Sequence, residues 1–393
     1  MSTKVALIIG GPALVTYRGQ TFYSQGDITL DPSIETFPIM VDRYQQVDER
    51  VKNQPIKLSF TPAGEWEALN VLFPYASTVL GDLITPVRTF GTVVPATNLI
   101  TITGHGLTSG DAIRCSSTTT LPAPLSPATL YYAKAVDPNT ISLHPTYGDA
   151  IAGTNIIDIT DVGTGTHKLV VNNPLVIQTF AGQQYTFPNA AVVSMPPITV
   201  SAVQTLLGQV TFECFLAEGA NWSDANPFYT LAAVAAPNDT SFNPTNVLTQ
   251  PATMGWGVTP PWSSFSTKSG VRVEFPLQLE AVETDMDGVL TRRLSGITVT
   301  ARAVPMGLSE SDIMTKLLLQ GAGAARGRSL SGANLEISAT GFWVRLYGAA
   351  LRGGPQLFGT KSDRIGELTW VATRTFATGV PNPLFFVGTA NPG

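Results

Sequence analysis

Charge is scarce in this sequence, and neither sign dominates. Charged residues make up 13% of the 393 positions, with 23 Lys and Arg against 28 Asp and Glu, so the net charge is −5. Tight binding to nucleic acid needs a basic surplus that neutralises phosphates. The composition therefore argues against a protein that grips DNA or RNA.

Cysteine and long apolar runs are scarce as well. Cys115 and Cys214 are the two cysteines, and they fall in different predicted modules, so we expect free thiols and a reducing site of folding. No run reaches the about 18 apolar residues that a membrane-spanning helix needs. The apolar run at residues 5–9 is too short for a signal peptide, which predicts synthesis in the cytoplasm without a membrane partner.

The residues that carry catalysis or bind metals form no recognisable signature. The three histidines, His105, His144 and His167, lie in one segment at spacings that fit no metal motif. The Gly-rich residues 321–327 follow a predicted helix and lack the Lys-Ser/Thr of a phosphate-binding loop. Acidic pairs that a glycosidase would use fall in predicted hairpin tips. We therefore predict no enzyme activity, no cofactor and no metal.

Turn-forming residues, in contrast, are abundant. The chain has 36 Gly and 29 Pro, and short stretches alternate apolar with polar residues, as strands do. The segment "ALVTYRGQTFYSQGDITL" predicts a hairpin turning at Arg18 and Gly19 and a second turn at Gln25 and Gly26. These features predict a fold dominated by β-structure.

One short helix is predicted after the strand "IKLSF". Thr61 is placed as its N-cap and Pro62 as its first residue. Trp66, Leu69 and Phe73 then follow at helical spacing. Pro74 is expected to end the helix.

The second half of the chain repeats this order 243 positions further on. The offset carries Ile28 and Leu30 onto Val271 and Val273, so the buried faces stay in phase. A second predicted helix covers residues 309–317. Near the ends, "LGQVTFECF" matches "IGELTWVAT" at an offset of only 158. The first copy therefore holds about 85 extra residues, as repeats with an insertion do.

The extra residues divide the chain into three modules. Residues 89–171 are rich in Gly, Pro, Asp and Asn turns and predict a small inserted all-β domain. Residues 1–88 with 172–220 form the first sandwich copy, and residues 221–393 form the second. Each copy is expected to be a β-sandwich with one short α-helix.

The order of these segments resembles the major tail tube proteins of long, non-contractile-tailed bacteriophages. The likeness rests on "GPALVTYRGQTFYSQGDITL", the charged hairpin after it, "IKLSFTPAGEWEALNVLFPYA" and "PLVIQTFAGQQYTFPNAAVV". It covers most of residues 1–220 outside the insertion and, more faintly, residues 255–380. The insertion resembles a small β module that recurs in virion proteins.

The resemblance implies a structural virion protein of the phage tail. Its expected partner is itself, in rings that stack into a hollow tube, together with the tape measure, tail terminator and tail-tip proteins. DNA would pass through during genome ejection without specific binding. Family members with one copy per chain form hexameric rings, so duplication favours a trimer with pseudo-sixfold symmetry. The alternative is a virion binding or decoration protein whose inserted domain contacts a host surface or a carbohydrate.

Two charged hairpins are the predicted contacts between stacked rings. They cover residues 41–54 and 283–295, and each lies between strands with a buried face, so it should project from its sandwich. Mixed charge on a projecting tip suits a contact that sets register. The residues assigned to these contacts are Asp42, Arg43, Tyr44, Asp48, Glu49, Arg50, Lys52, Glu283, Asp285, Asp287, Arg292 and Arg293.

Overall fold

The fold is taken from a computed structural model of the chain. The structure describes residues 7–32, 35–53, 56–76, 78, 80–85, 87–171, 173–201, 206–216, 228–237, 253–257, 263–284, 288–306, 333–339, 341–352, 366–374, 376–377, 380–381, 383–389 and 391. Strands predominate throughout, so the predicted all-β class is confirmed.

The chain first forms six strands and one short helix. Their bounds are β1 Leu7–Ile9, β2 Ala13–Tyr17, β3 Gln20–Pro32, β4 Glu35–Val41, β5 Gln45–Asn53, β6 Ile56–Ala63 and α1 Trp66–Leu69. A 3₁₀ turn, Asn70–Leu72, continues α1.

Residues 87–171 form a seven-stranded antiparallel sheet with one helix. The elements are β7 Val87–Phe90, β8 Thr92–Val94, β9 Leu99–Thr101, β10 Ala112–Ser117, β11 Tyr131–Asp137, β12 Thr140–His144, α2 Tyr147–Ala152 and β13 His167–Val171. The strand order is β7-β13-β10-β11-β12-β9-β8. The sheet has its own apolar core, and its helix α2 was not predicted.

The remaining strands complete the first large sheet and build the second. Six of them are β14 Leu175–Thr179, β15 Gln183–Phe187, β16 Ala190–Ser194, β17 Ile198–Val200, β18 Val210–Cys214 and β19 Thr230–Ala233. The next six are β20 Thr253–Gly257, β21 Ser263–Glu274, β22 Leu277–Thr284, β23 Gly288–Ile297, β24 Thr300–Met306 and β25 Asn334–Ala339. The last six are β26 Phe342–Leu346, β27 Ala350–Arg352, β28 Leu368–Val371, β29 Phe376–Ala377, β30 Val380–Pro381 and β31 Phe385–Gly388.

Two nine-stranded sheets have the same strand order. One runs β16-β18-β6-β3-β2-β14-β15-β19, with β1 paired to β3. The other runs β27-β28-β24-β21-β20-β25-β26-β31, with β17 paired to β21. Each sheet is accompanied by a separate two-stranded hairpin, β4–β5 for the first and β22–β23 for the second.

The register also repeats, at the offset of 243. Ser24 pairs with Pro62 in the first sheet, and Thr267 pairs with Pro305 in the second. Both pairings are followed by a bulge, after which Leu58 and its counterpart Ala301 are in register again. The hairpins repeat as well, because Glu35↔Asn53 in one corresponds to Gln278↔Gly296 in the other and both have bulges at equivalent positions.

One strand from each predicted copy pairs with the sheet of the other copy. β17 lies in the residues assigned to the first copy but pairs with β21 of the second sheet. β19 lies in the residues assigned to the second copy but pairs with β15 of the first sheet. A single apolar core contains residues of both sheets. The two large sheets therefore share one packed interior.

The predicted start of the first helix is wrong by several residues. Thr61 and Pro62 remain in β6, because β3 pairs with that strand as far as Ala63. The helix begins only after Gly64, which has a φ of 150° and lies so close to Phe22 that an added Cβ atom would be 3.1 Å from the Phe22 Cβ. The second predicted helix, residues 309–317, lies outside the described residues.

The two predicted turns at the start of the chain have different outcomes. The turn at Arg18 and Gly19 is confirmed, with φ angles of 49° and 77° between β2 and β3. The predicted turn at Gln25 and Gly26 is a bulge inside the continuous strand β3, since β6 pairs on both sides of it. A bulge and a turn both favour a glycine with positive φ.

Candidate assembly surfaces

The hairpin β22–β23 of the second half packs against residues 81–84 of the first half. The Gly81 N–H donates to the Leu294 carbonyl at 2.7 Å, and the Leu294 N–H donates to the Asp82 carbonyl at 2.9 Å. The Ile84 N–H donates to the Arg292 carbonyl at 3.0 Å. Residues 81–84 thus pair with β23 through an isolated antiparallel bridge between Leu83 and Arg293.

A buried ion pair anchors this hairpin to β18 of the first sheet. The Arg292 Nε and Nη2 atoms each donate to a Glu213 carboxylate oxygen at 2.7 Å. The Glu213 side chain is only 1% exposed. Two parallel N–H···O bonds fix geometry as well as charge, so this pair sets how the hairpin lies on the sheet.

Aromatic contacts close the same joint on the core side. The Phe73 and Phe275 rings meet edge to face with their centroids 5.2 Å apart. The Trp66 and Phe342 centroids are also 5.2 Å apart. Such pairs contribute about 0.5–1.5 kcal/mol beyond the burial of their area. Trp66 in α1 and Phe73 after the 3₁₀ turn therefore contact the second half. The helix itself ends at Leu69, short of the predicted end at Pro74.

The hairpin β4–β5 of the first half is solvent-exposed although it has the same register. Apolar side chains on it are exposed, among them Met40 at 62% and Tyr44 at 67%. The counterparts of Gln46 and Asp48 on β23 are Val289 and Thr291, which are only 8% and 6% exposed. β5 passes close to β23. Two hairpins of the same construction are thus in different environments, one docked and one exposed.

The residues predicted to join stacked rings are divided between these environments. Asp42, Arg43, Tyr44, Asp48 and Glu49 lie exposed on β4–β5 or its tip, with the Arg43 guanidinium 5.6 Å from the centre of the Tyr44 ring. Arg50 and Lys52 lie on β5. Glu283 and Arg293 are exposed on β22–β23, whereas Asp285 and Asp287 lie outside the described residues.

The placement of Arg292 corrects the prediction for that residue. Its guanidinium binds Glu213 of the same chain rather than projecting toward a neighbour. The polar run at residues 41–54 is also not a tip, because most of it is strand β5 and the turn is confined to residues 42–44. Sequence alone did not show that a charged residue of one copy would find its partner in the other.

A row of arginines crosses the outer face of the second sheet. Arg272 pairs in register with Arg302, Arg302 with Thr369, and Thr369 with Arg352. Arg272 and Arg302 are 58% and 48% exposed, and Glu274 is the acid beside them. Like charges on adjacent strands destabilise a sheet. Sequence reasoning missed this row because its three arginines are far apart in the chain.

The inserted sheet is joined to the first large sheet through a buried arginine. Arg18, in the β2–β3 turn, forms an ion pair with Asp111 at 2.9 Å, and the two side chains are 5% and 12% exposed. The Arg18 Nη2 also donates to Thr108 Oγ1 at 3.2 Å. Gly19, the other residue of that turn, has a φ of 77° and lies so close to Tyr147 of the insertion that an added Cβ atom would be 2.9 Å from the Tyr147 Cβ. The turn therefore fits closely into the insertion.

The three histidines have structural partners in the insertion. Both ring nitrogens of His105 lie within hydrogen-bonding distance of backbone groups, the Leu107 N–H and the Asp137 carbonyl. His144 and His167 are similarly placed between serine hydroxyls and carbonyls. Among the residues that the structure describes, no cluster of three metal-ligating side chains occurs.

Both cysteines are free and buried, and we predict that neither reacts in the folded protein. Burial raises the pKa of Cys115 to about 12, and burial, with Glu213 adding to it, raises the pKa of Cys214 well above its usual value. The thiolate is the reactive form. We expect no labelling by an alkylating reagent at pH 8 in buffer and two labels in denaturant, as read by mass spectrometry. Rapid labelling of native protein would contradict this.

Comparisons with known proteins add no relatives. No model of a protein family matches the sequence, and a search of curated proteins returns no significant match. Within the described residues, no helix has the length and apolar character needed to cross a membrane. The function proposed below therefore rests on this geometry and on the resemblance of the sequence to phage tail tube proteins.

Proposed function

We propose that this chain is a non-enzymatic structural protein of a phage tail, which assembles into rings that stack into a hollow tube for DNA. The observation that supports this best is the repeated strand order and register, including bulges at equivalent positions. We interpret the repeat as a tandem duplication of a tail-tube-type sandwich. A chain that already contains one joint between equivalent units has the means to form more of them.

The proposed ring is a trimer with pseudo-sixfold symmetry. Two sandwich units per chain replace two subunits of a hexamer, so three chains supply six units. A closed ring pairs or covers the edges that a sheet would otherwise leave open to aggregation. The net charge of −5 suits a duct, because a basic lining would hold the phosphates of passing DNA. By resemblance, the tape measure, tail terminator and tail-tip proteins would be its other partners in the virion.

The experiment that tests this proposal combines native mass spectrometry with negative-stain microscopy of the purified chain. We expect trimers by mass and six-lobed rings or tubes by microscopy, at concentrations that allow assembly. True hexamers would contradict the trimeric arrangement. Monomers at every concentration and salt condition tested would contradict the tube.

A second candidate function is supported by the independence of the inserted sheet. Its separate core would suit a module that contacts a host surface or a carbohydrate, as in a decoration protein. β7 and β13 are paired, so residues 90–170 can be replaced by a short Gly-Ser linker. A tube protein should still assemble without the module, whereas a decoration protein should lose its partner. We place the module on the outside of the tube.

A further inference from the structure

We propose that the exposed hairpin β4–β5 closes the ring by docking on the arginine row of the second sheet in a neighbouring copy of the chain. The inference rests on the ring assembly proposed above and names the surfaces that make it. It assigns the hairpin a contact within one ring, in place of the contact between stacked rings that the sequence suggested.

The chain contains its own template for this contact. β22–β23 covers the face of the first sheet where Glu213 lies, opposite the buried side chains of β18. At the offset of 158, the counterpart of Glu213 is Val371 on β28 of the second sheet. The Val371 side chain is partly exposed, and the neighbouring Arg352 is exposed. Among the residues that the structure describes, one of the two equivalent faces is therefore covered by a hairpin, and the other carries exposed arginines.

The two hairpins differ in the same way as the two sheet faces. β22–β23 is docked, and its equivalent β4–β5 is exposed. Each chain thus has one exposed hairpin, β4–β5, and one face of the second sheet that carries no hairpin among the described residues. When the hairpin of one copy docks on that face of the next copy, the two form a head-to-tail interface. Such heterologous contacts generate rings when the rotation between copies closes. The joint inside the chain and the joint between chains would then alternate around the ring.

Charge complementarity supports the same pairing. The residue of β5 that corresponds to Arg292, the side chain that binds the sheet in the template, is Glu49, which is exposed. It would lie near Arg302 and Arg352, the arginines on either side of Thr369. Asp48, the counterpart of Thr291, adds a second negative charge at the next position of the same strand. In the template the sheet supplies the acid and the hairpin supplies the base. In the closing joint the signs are exchanged, so each hairpin is electrostatically matched to only one of the two faces, which favours specificity.

Paired charge reversals test the proposal. The hairpin variant is Asp48→Arg with Glu49→Arg, and the sheet variant is Arg302→Glu with Arg352→Glu. We expect each variant to raise the concentration needed for ring formation about tenfold or more, since several cross-interface ion pairs become repulsions. Combining all four substitutions in one chain should restore assembly. The control reverses Lys134 and Lys168 on the insertion and should assemble like the unaltered chain.

Crosslinking provides a second measurement that does not depend on charge. Glu49→Cys with Val371→Cys places thiols where Arg292 and Glu213 meet in the template, and the native cysteines are buried. A short bis-maleimide should give dimers and trimers on a denaturing gel, while Lys168→Cys with Val371→Cys should not. Melting temperatures of the dilute variants must match the unaltered chain, as expected for exposed sites.

The outcomes separate the two proposals. Rings that form normally in both reversal variants, with no crosslink between positions 49 and 371, would overturn the hairpin contact and leave the tube proposal standing. Absence of any assembly in the unaltered chain would overturn both. Rescue by the fourfold reversal, together with the crosslink, would support both.

Discussion

Replacing Arg292 by methionine is expected to lower the free energy of unfolding by about 3–5 kcal/mol, the usual consequence of removing one partner from a buried ion pair. The substitution leaves the Glu213 carboxylate 1% exposed and without its bidentate donor. A buried charge that loses its partner is costly, while the pair itself adds little over an apolar replacement. Urea unfolding followed by tryptophan fluorescence measures the difference.

The neighbouring arginine is a matched control. Arg293→Met removes the same groups from an exposed position on the same strand and should change stability by about 0.5 kcal/mol or less. Glu213→Met combined with Arg292→Met should recover much of the loss, because no charge is then left buried. Equal effects of Arg292→Met and Arg293→Met would show that the ion pair does not hold the joint.

The periodic part of the fold could be predicted from the sequence. The alternation of apolar and polar residues in β3 and β6 predicted which of their side chains are buried. The offset of 243 anticipated the equal registers of the two sheets. The turn at Arg18 and Gly19 was predictable because the two alternating stretches meet there and Gly19 readily adopts the positive φ of a two-residue hairpin turn. A helix was also recoverable in the insertion, since Thr146 and Asp149 cap α2 and Gly153 ends it.

Contacts between distant segments could not be predicted in the same way. β17 joins the second sheet although its residues belong with the first copy, and nothing local distinguishes one sheet edge from another. Proline fits the first position of a helix, but the pairing of Pro62 with Ser24 of β3 keeps it in a strand. Tertiary context overrides such local preferences.

The candidate site illustrates the same limit. The two hairpins have closely similar patterns, so the sequence assigned them one role. Only the fold shows that Arg292 is used inside the chain and that its counterpart Glu49 is exposed. If the chain assembles as proposed, the hairpin of the second unit docks within the chain and the hairpin of the first unit docks on a neighbouring copy.

Replacing Arg18 by methionine is expected to destabilise the chain by about 3–5 kcal/mol, because Asp111 would lose its partner in a buried setting. Arg18 also donates from Nε to the Gly110 carbonyl at 3.3 Å, so the substitution removes the contact that seats the β2–β3 turn in the insertion. Thermal unfolding monitored by circular dichroism measures the loss. Arg43→Met, at the exposed hairpin tip, is the control and should be near neutral.

The same substitution in a chain without residues 90–170 tests where the effect originates. Asp111 and Thr108 are then absent, so residue 18 becomes a solvent-exposed turn position, and Arg18→Met should change stability by about 0.5 kcal/mol or less. A loss of similar size in both chains would place the role of Arg18 within the first sheet. A loss confined to the full chain would show that one buried ion pair couples the inserted sheet to the sandwich. The module would then be held firmly on the first sheet.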